Sequence, residues 1–315
     1  MNQQLADMLA EMAEIYDLYG EGYRSTAYSK AAKRVAAYNG PLADIPRAGF
    51  GRDIYAKIQE YISTSQIAVL SDLRAGDVET WRAFSKILGV GPKTIEEWVD
   101  KGIKTLHDLR RATLEGSVKL NPMQSYGLLY YDDLSQKIPR AEVTELSAHF
   151  MRLAIQIDPD VIYTVAGSYR RMAPSSGDID ILVSNERQFN PDFLGRFQEL
   201  LSEDPRYIAT IVQGVERVTF LYKSPISHVV RQIDVLNISY TSYWTAILYF
   251  TGSWDFNQAM RGWAKKHGYR LSQKGLACGG LDIPVASEAE IFRVLGLEYV
   301  EPQQRTDDTA VRSIK

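Results

Sequence analysis

The sequence predicts a multidomain α+β protein, and three observations carry that prediction. The chain has 315 residues, which is longer than one ordinary domain, and 45% of them are hydrophobic, which is enough to form a core. Apolar residues recur at helical spacing through the first part of the chain, up to about residue 138. From residue 161 the pattern changes to short runs rich in β-branched and aromatic residues. Helical N-terminal domains should therefore precede a mixed β-sheet and a small α+β C-terminal domain.

The first 75 residues are expected to form short helices, beginning with an amphipathic helix over 5–19. A second helical block, 76–138, contains an amphipathic run through Trp98. Each block has a glycine turn between helices, and such turns direct backbone N–H groups towards phosphate. The turns are Gly49-Phe50-Gly51 and Gly89-Val90-Gly91. A helix C-cap explains a single turn equally well, so the evidence lies in the pair.

Four strands and one crossing helix are expected in the next part of the chain. The strands are predicted over 161–166, 178–183, 215–222 and 229–238, and the helix over 191–202. The section from Tyr249 should be helical and then rich in turns. Residues 302–315 are polar and are expected to form a mobile C-terminal tail.

Composition excludes several classes of protein. No segment has the apolar length of a membrane span, and the N-terminus lacks a signal-peptide pattern. The single cysteine, Cys278, forms no intrachain disulfide and makes no zinc cluster with four scattered histidines, so a reducing intracellular compartment is expected. The net charge is −3, yet residues 21–58 hold seven basic and three acidic side chains. A basic surface with salt-dependent affinity for DNA is therefore expected.

Two acids dominate the candidate chemistry. Asp178 and Asp180 stand two residues apart in an apolar run, so on a strand both would project from one face, with Cα atoms about 6.5 Å apart. Like charges that close require a cation between them. Asp234 is the one acid in another apolar run and is the candidate third ligand. Two-metal phosphoryl transfer needs several anionic oxygens around ions about 3.5–4 Å apart, so the acids predict a metal-triphosphate site.

A longer motif surrounds the first two acids. Gly167-Ser168 and Arg170-Arg171 precede them, followed by Ser176-Gly177. The run G-S-Y-R-R … S-G-D-I-D resembles the nucleotidyltransferase signature of the family X DNA polymerases, which include polymerases beta and lambda. The resemblance extends to Glu301-Pro302 and implies no added BRCT or phosphoesterase domain.

The resemblance implies four domains. They are a lyase-like helical domain with the first helix-hairpin-helix (1–75), a helical DNA-binding domain with the second (76–138), a catalytic nucleotidyltransferase palm with a mixed β-sheet (139–247), and a nucleotide-selection domain with the C-terminal tail (248–315).

The resemblance also implies a role for each matching residue. Asp178 and Asp180 would bridge two Mg²⁺ ions, for which Mn²⁺ can substitute, and Asp234 would bind the ion that activates the primer 3′-hydroxyl. The expected contacts of the incoming deoxynucleotide are Ser168, Arg171, Ser176, Gly177, Lys137, Tyr249, Phe250, Gly252 and Asn257. The expected DNA contacts are Gly49, Gly51, Gly89, Gly91, Lys93, Arg261, Arg24 and Tyr28. In the family the hairpin turns often hold a monovalent cation.

Lys57 is the candidate nucleophile of a second activity, 5′-deoxyribose-phosphate lyase. It lies on the apolar stripe of a predicted helix, where partial burial favours the neutral amine that forms a Schiff base. The position matches the lyase nucleophile of polymerase beta. Asp53, Gln66 and Val69 stand where that enzyme has lysines, so the pocket has lost positive charge. The alternative is a structural lysine whose stem lies along the apolar surface.

Other departures concern closing and stacking. In polymerase beta, charged residues help to switch the third aspartate between an inactive and an active arrangement. This chain has Gln232, Leu236 and Gln273 in their places, which implies a different closing mechanism or none. Trp254 replaces an acid of polymerase beta, which implies altered stacking on the nascent base pair.

The function expected from these residues is gap filling in DNA repair by template-directed nucleotidyl transfer. The expected partners are gapped or nicked DNA, dNTPs and a repair ligase or end-joining factors, for a monomer without membrane association. The expected location is nuclear in a eukaryote, and otherwise cytoplasmic, nucleoid or virus-associated. The alternatives are a nucleotidyltransferase acting on RNA or a small molecule, and a non-catalytic DNA-end-binding scaffold.

Overall fold

The computed structural model describes residues 2–314 and divides the chain into two compact units, 1–131 and 132–315. The first unit is helical. Its helices are α1 (Asn2–Leu18), α2 (Gly22–Ala37), α3 (Arg52–Thr64), α4 (Ala68–Ala75), α5 (Val78–Phe84), α6 (Pro92–Asp100), α7 (Leu106–Leu114) and α8 (Pro122–Leu129), with a 3₁₀ turn at Leu42–Asp44. A short helix, α9 (Tyr131–Leu134), crosses the division.

The second unit contains three sheets and six further helices. The strands are β1 (Ile138–Pro139), β2 (Ile162–Val165), β3 (Ser175–Ser176), β4 (Ile179–Ser184), β5 (Tyr207–Gln213), β6 (Arg217–Lys223), β7 (Val230–Asn237), β8 (Tyr269–Ser272), β9 (Gly275–Cys278) and β10 (Leu281–Ile283). The helices are α10 (Arg140–Ile157), α11 (Gly167–Arg170), α12 (Phe193–Ser202), α13 (Tyr240–Thr251), α14 (Trp254–Lys266) and α15 (Glu288–Val294). The predicted α+β class is confirmed.

The central sheet has the strand order β2-β4-β7-β6-β5, with β4 and β7 parallel and the other pairs antiparallel. Alternation along β4 directs Ile179, Ile181 and Val183 into a core with α10 and α12. Leu182 faces the other way, into a cluster with α13. Because Asp180 alternates with the isoleucines, it shares the face of Leu182.

Three expectations about local structure are corrected. The sheet contains β5, which the sequence pattern does not predict. Asp178 precedes β4 instead of lying in it, so the strand geometry expected for both acids holds for Asp180 alone. The mobile tail expected over 302–315 is wrong for the described residues. Arg305 is fully buried, Ala310 lies in the C-terminal core, and Ser313 bridges to Leu297.

No helix among residues 2–314 has both the length and the apolar character needed to cross a membrane.

Candidate active site

Three carboxylates converge beside the start of β4. Asp180 lies opposite Asp234 of the parallel strand β7, and Asp178 lies one residue before β4. One carboxylate oxygen of each acid lies within 4.8 Å of the other two. Asp234 is buried, Asp180 is partly buried and Asp178 is exposed. Strand pairing therefore fixes two of the acids side by side, and the bend at 177–178 adds the third.

The protein environment disfavours the charged form of two of these acids. Burial is the largest cause for Asp180, the carboxylates of Asp178 and Asp234 add to it, and together they raise its pKa to about 7. The pKa of Asp178 is also raised, first by the protein packed around its inner side and then by Asp234. Nearby guanidinium groups offset this only in part. Converging oxygens with uncompensated negative charge are a donor set that suits a hard divalent cation.

Three side chains donate to Asp234, and the sequence draws attention to Gln232 alone, as the replacement of a charged residue. Arg217 at the start of β6 donates from Nε (3.0 Å) and Nη2 (2.7 Å) to Asp234 Oδ1. Thr219, which pairs with Asp234 across the sheet, donates its hydroxyl to the same oxygen. Gln232 donates to Oδ2 at 3.0 Å. Both carboxylate oxygens therefore accept hydrogen bonds.

Except for Lys137, the predicted phosphate-binding residues lie beside the acids in the segment 167–177, which is called the phosphate loop for this predicted role. Ser168 donates its hydroxyl to Ser176 at 2.8 Å, which ties the two ends of the loop together. A Cβ on Gly167 would lie 2.9 Å from an oxygen of Asp180, so only glycine allows this approach. Lys137 Nζ would lie 3.6 Å from a Cβ on Gly177, because β1 pairs with β3 next to both residues. The loop thus places hydroxyl groups and a lysine around the carboxylates.

The end of α13 is bound to the same loop. Arg171 donates to the backbone carbonyl of Thr251, and Arg170 donates to the Thr251 hydroxyl at 2.7 Å. Gly252 follows with φ of +68°, and a Cβ there would lie 3.0 Å from Arg171 Nη1. The rings of Tyr249 and Phe250, still within α13, meet edge to face at 5.1 Å. The predicted sugar contacts therefore lie next to the predicted phosphate contacts.

One face of α14 carries three further residues whose roles the sequence resemblance predicts. Asn257 donates to the carbonyl of Tyr249 at 2.7 Å, which fixes it against the end of α13. Trp254 is 58% exposed one turn before it, and Arg261 is exposed one turn after it. The helical spacing of three to four residues places all three on one side of the helix.

A buried ion-pair network supports the phosphate loop from behind. Glu288 at the start of α15 accepts from Arg170 Nη2 at 2.6 Å and from Arg305 Nη1 at 2.5 Å. The side chain of Arg305 has no exposed surface and lies among the rings of Phe256, Phe292 and Tyr299. Arg170 is 118 residues from Glu288, so no local sequence signal connects them.

In the first unit, Lys57 is paired instead of free. Its Nζ lies 2.7 Å from Asp53 Oδ1, and the side chain is 12% exposed. Tyr28 is buried and donates its hydroxyl to Asp53 at 3.2 Å, while Arg24 pairs with Glu21 at 2.9 Å. The structure therefore brings Lys57 and Tyr28 together around an acid, and Arg24 is held by another.

Both glycine hairpins have the backbone that the sequence suggests. Gly49 and Gly89 have φ of +90° and +74°, and a Cβ at either would overlap a neighbouring side chain, Arg34 or Met123 respectively. Gly51 and Gly91 are the N-cap residues of α3 and α6. Lys93 is exposed in the first turn of α6. Each turn thus presents a helix N-terminus of the kind that binds phosphate.

Family models match the chain in four consecutive stretches. A helix-hairpin-helix domain matches residues 1–67, and the fingers domain of DNA polymerase lambda matches 82–135. The DNA polymerase beta palm matches 137–239 and the DNA polymerase beta thumb matches 246–306. The chain belongs to the family X DNA polymerases. The acids, the phosphate loop and β7 all lie in the stretch that matches the family X palm.

Individual family X relatives match over nearly the whole chain. DNA polymerase lambda of Rattus norvegicus is 29% identical over 96% of this chain and 56% of its own length. DNA polymerase lambda of Arabidopsis thaliana is 27% identical over 97% of this chain and 62% of its own length. The human DNA-directed DNA/RNA polymerase mu is 26% identical over 96% of this chain and 69% of its own length. The chain thus spans less than two thirds of the length of each of the two polymerase lambda relatives.

Proposed function

We propose that this family X protein is a template-directed DNA polymerase that fills short gaps during DNA repair. The observation that carries the proposal is the convergence of Asp178, Asp180 and Asp234 within 4.8 Å, beside the loop that Ser168 and Ser176 tie together. Deoxynucleoside triphosphates and gapped or nicked DNA are the proposed substrates. The names of the relatives, polymerases lambda and mu, agree with this substrate class.

The carboxylates would hold two divalent cations, which we propose to be Mg²⁺, with Mn²⁺ able to substitute. Bound there, the ions supply a Lewis acid for the triphosphate and lower the pKa of the primer 3′-hydroxyl. Asp178 and Asp180 would bridge both ions and Asp234 would hold the one beside the primer.

The phosphate loop would orient the triphosphate for attack at the α-phosphorus, with pyrophosphate as the leaving group. The Ser168 and Ser176 hydroxyls, Lys137 and Arg171 would donate to the phosphate oxygens, and Gly177 lets the chain come close. Tyr249, Phe250, Gly252 and Asn257 would contact the sugar and base.

The DNA backbone would lie against the hairpin turns, each with a monovalent cation, and against Lys93, Arg24 and Arg261. The four domain ranges given above, a monomeric state, a nuclear location in a eukaryote and a repair ligase or end-joining partner belong to the same proposal.

Primer extension on DNA with a one-nucleotide gap tests the proposal. The wild-type protein should add the templated deoxynucleotide in Mg²⁺, and Asp178→Ala and Asp234→Ala should not. Glu199→Ala, which removes an exposed acid of α12, should extend normally. Absence of extension by the wild type favours a DNA-end scaffold, and extension that survives both substitutions refutes the assigned acids. Transfer to RNA or a small hydroxyl compound, but not to gapped DNA, favours the other nucleotidyltransferase function.

Trp254 should contribute to nucleotide affinity by stacking. An indole that is 58% exposed at the start of α14 offers a flat surface for the incoming base. Stacking of a base on an aromatic side chain contributes about 1–3 kcal/mol, so Trp254→Ala should raise the KM for dNTP about tenfold with a smaller change in kcat. Steady-state gap filling measures this, with the exposed Leu281→Ala as the control. An unchanged KM would remove Trp254 from the nucleotide site.

A second proposed activity is 5′-deoxyribose-phosphate lyase, with Lys57 as nucleophile. The carboxylate of Asp53 binds Lys57 Nζ at 2.7 Å, so the amine must leave this contact before it can attack an aldehyde. Asp53→Asn should therefore increase the borohydride-trapped adduct on incised abasic DNA several-fold over the wild type. The adduct should disappear in Lys57→Ala and in the double variant. An adduct that persists without Lys57 would assign the chemistry to another amine.

A further inference from the structure

The donors around Asp234 differ in charge and mobility. Thr219 is buried opposite Asp234, and Gln232 is only two residues away on the same strand, so neither can move far. Arg217 is the first residue of β6, and its side chain is 52% exposed. It pairs with Leu236 and reaches diagonally across to Asp234 Oδ1 on β7. It is the cationic member of the three.

A guanidinium and a divalent cation compete for the same carboxylate. Asp234 Oδ1 already accepts three hydrogen bonds, two of them from Arg217, so a metal ion can bind this oxygen only if a donor is displaced. A positive charge this close also repels a second one. Arg217 is therefore the donor that a metal ion would displace.

The fold provides a place for the displaced side chain. A cavity of about 390 Å³ opens beside Arg217, which forms part of its wall. The polar side chains of Asn237, Ser239 and Gln273 line the same cavity, as does Phe250 at the end of α13. A guanidinium that left Asp234 could thus remain within the protein and next to the nucleotide-selection residues.

We infer that Arg217 is a positioning residue that occupies Asp234 in the metal-free enzyme and is released into this cavity when the ion beside the primer binds. The inference rests on the proposed two-metal function. Gln232 is uncharged, and Arg217 on the neighbouring strand supplies a positive charge to Asp234 in its place. It fixes the orientation of the Asp234 carboxylate between catalytic cycles, and it makes metal binding at Asp234 weaker than the three acids alone would allow.

Mn²⁺ binding to the full chain, followed by electron paramagnetic resonance, tests this without any turnover. Losing a charge-assisted hydrogen bond corresponds to a factor of about ten or more in an equilibrium constant, so Arg217→Gln and Arg217→Met should bind Mn²⁺ about tenfold more tightly than the wild type. Arg217→Lys keeps the charge and should stay close to the wild type. Lys223→Gln, at the opposite exposed end of β6, is the matched control and should not change the affinity.

The outcomes separate this inference from the proposed function. If neither the wild type nor Asp234→Asn binds Mn²⁺, the metal site is excluded, and the proposed function is excluded with it. Mn²⁺ binding by the wild type with equal or weaker binding by Arg217→Gln overturns only the role of Arg217.

A measurement on the wild type covers the case in which the variants do not fold. The Arg217 Nε–H resonance, assigned through its scalar couplings in the wild-type protein, should exchange slowly with water in EDTA and rapidly in saturating Mg²⁺. Unchanged slow exchange would show that Arg217 stays on Asp234, which contradicts the inference.

Discussion

Replacing Asp180 by asparagine is expected to abolish nucleotide incorporation and, at the same time, to stabilise the metal-free protein. Asparagine keeps the size of the side chain but offers no charge to bridge two cations. The loss of such a ligand should lower kcat/KM for gap filling by about 10³-fold or more. Single-turnover incorporation in Mg²⁺ measures it, and activity within tenfold of the wild type would exclude Asp180 as a bridging ligand.

The gain in stability follows from the raised pKa. The pKa of Asp180 is about 7 in the folded protein and 3.8 ordinarily, so the folded state binds the proton more tightly. The contribution of this group to stability is therefore complete below about pH 4 and is lost as the pH rises through about 7. A shift of this size corresponds to roughly 4 kcal/mol, shared with the neighbouring acids. An asparagine at position 180 does not ionise, so the variant does not lose this stability as the pH rises.

Denaturant unfolding in EDTA between pH 4 and 8 gives the comparison. The free energy of unfolding of the wild type should fall over this interval relative to Asp180→Asn, and Mg²⁺ should restore it in the wild type alone. Glu199→Gln removes an exposed acid and should follow the wild type at every pH. Parallel curves for the wild type and Asp180→Asn would contradict the raised pKa.

Glu288→Gln is expected to destabilise the second unit more than any other conservative substitution near the site. Burial alone would raise the pKa of Glu288, but the Arg170 and Arg305 guanidinium groups hold it below the ordinary value. Glutamine has nearly the same shape and would leave the buried guanidinium of Arg305 and the partly buried one of Arg170 without a counter-charge. Removing one partner of a buried pair costs about 3–5 kcal/mol. The cost should shrink at low pH, since a lowered folded pKa means that wild-type stability is lost as the carboxylate is protonated.

The same substitution should lower gap-filling efficiency, because Arg170 belongs to the phosphate loop and loses its partner. Thermal unfolding and the KM for dNTP are the two readouts. Asp282→Asn, an exposed acid of β10, is the matched control and should change neither. A Glu288→Gln protein as stable as this control would mean that the network contributes no stability.

Local residue order predicted the parts of the site whose geometry is local. The alternation of Asp180 with isoleucines predicts its direction from a strand, and the spacing of glycines and serines predicts the loop beside it. In each case the period of the backbone decides where the side chain points.

The missed residues act across long stretches of chain. Arg217 reaches Asp234 because β6 and β7 pair in one particular register, and register is not readable from either strand alone. Arg305 lies in a segment whose polar composition suggests a tail. It is buried because Glu288 and three aromatic rings compensate its charge, which only the folded arrangement reveals.

The Arg170–Glu288–Arg305 network also sets the order in which the site can be completed during synthesis. Arg170 is translated 118 residues before Glu288, and Arg305 follows 17 residues later. At about 5–20 residues per second, the phosphate loop waits roughly 7–27 seconds for the residues that hold it. A nascent chain that has already paired β4 with β7 would therefore carry its acids in place beside an unfinished loop.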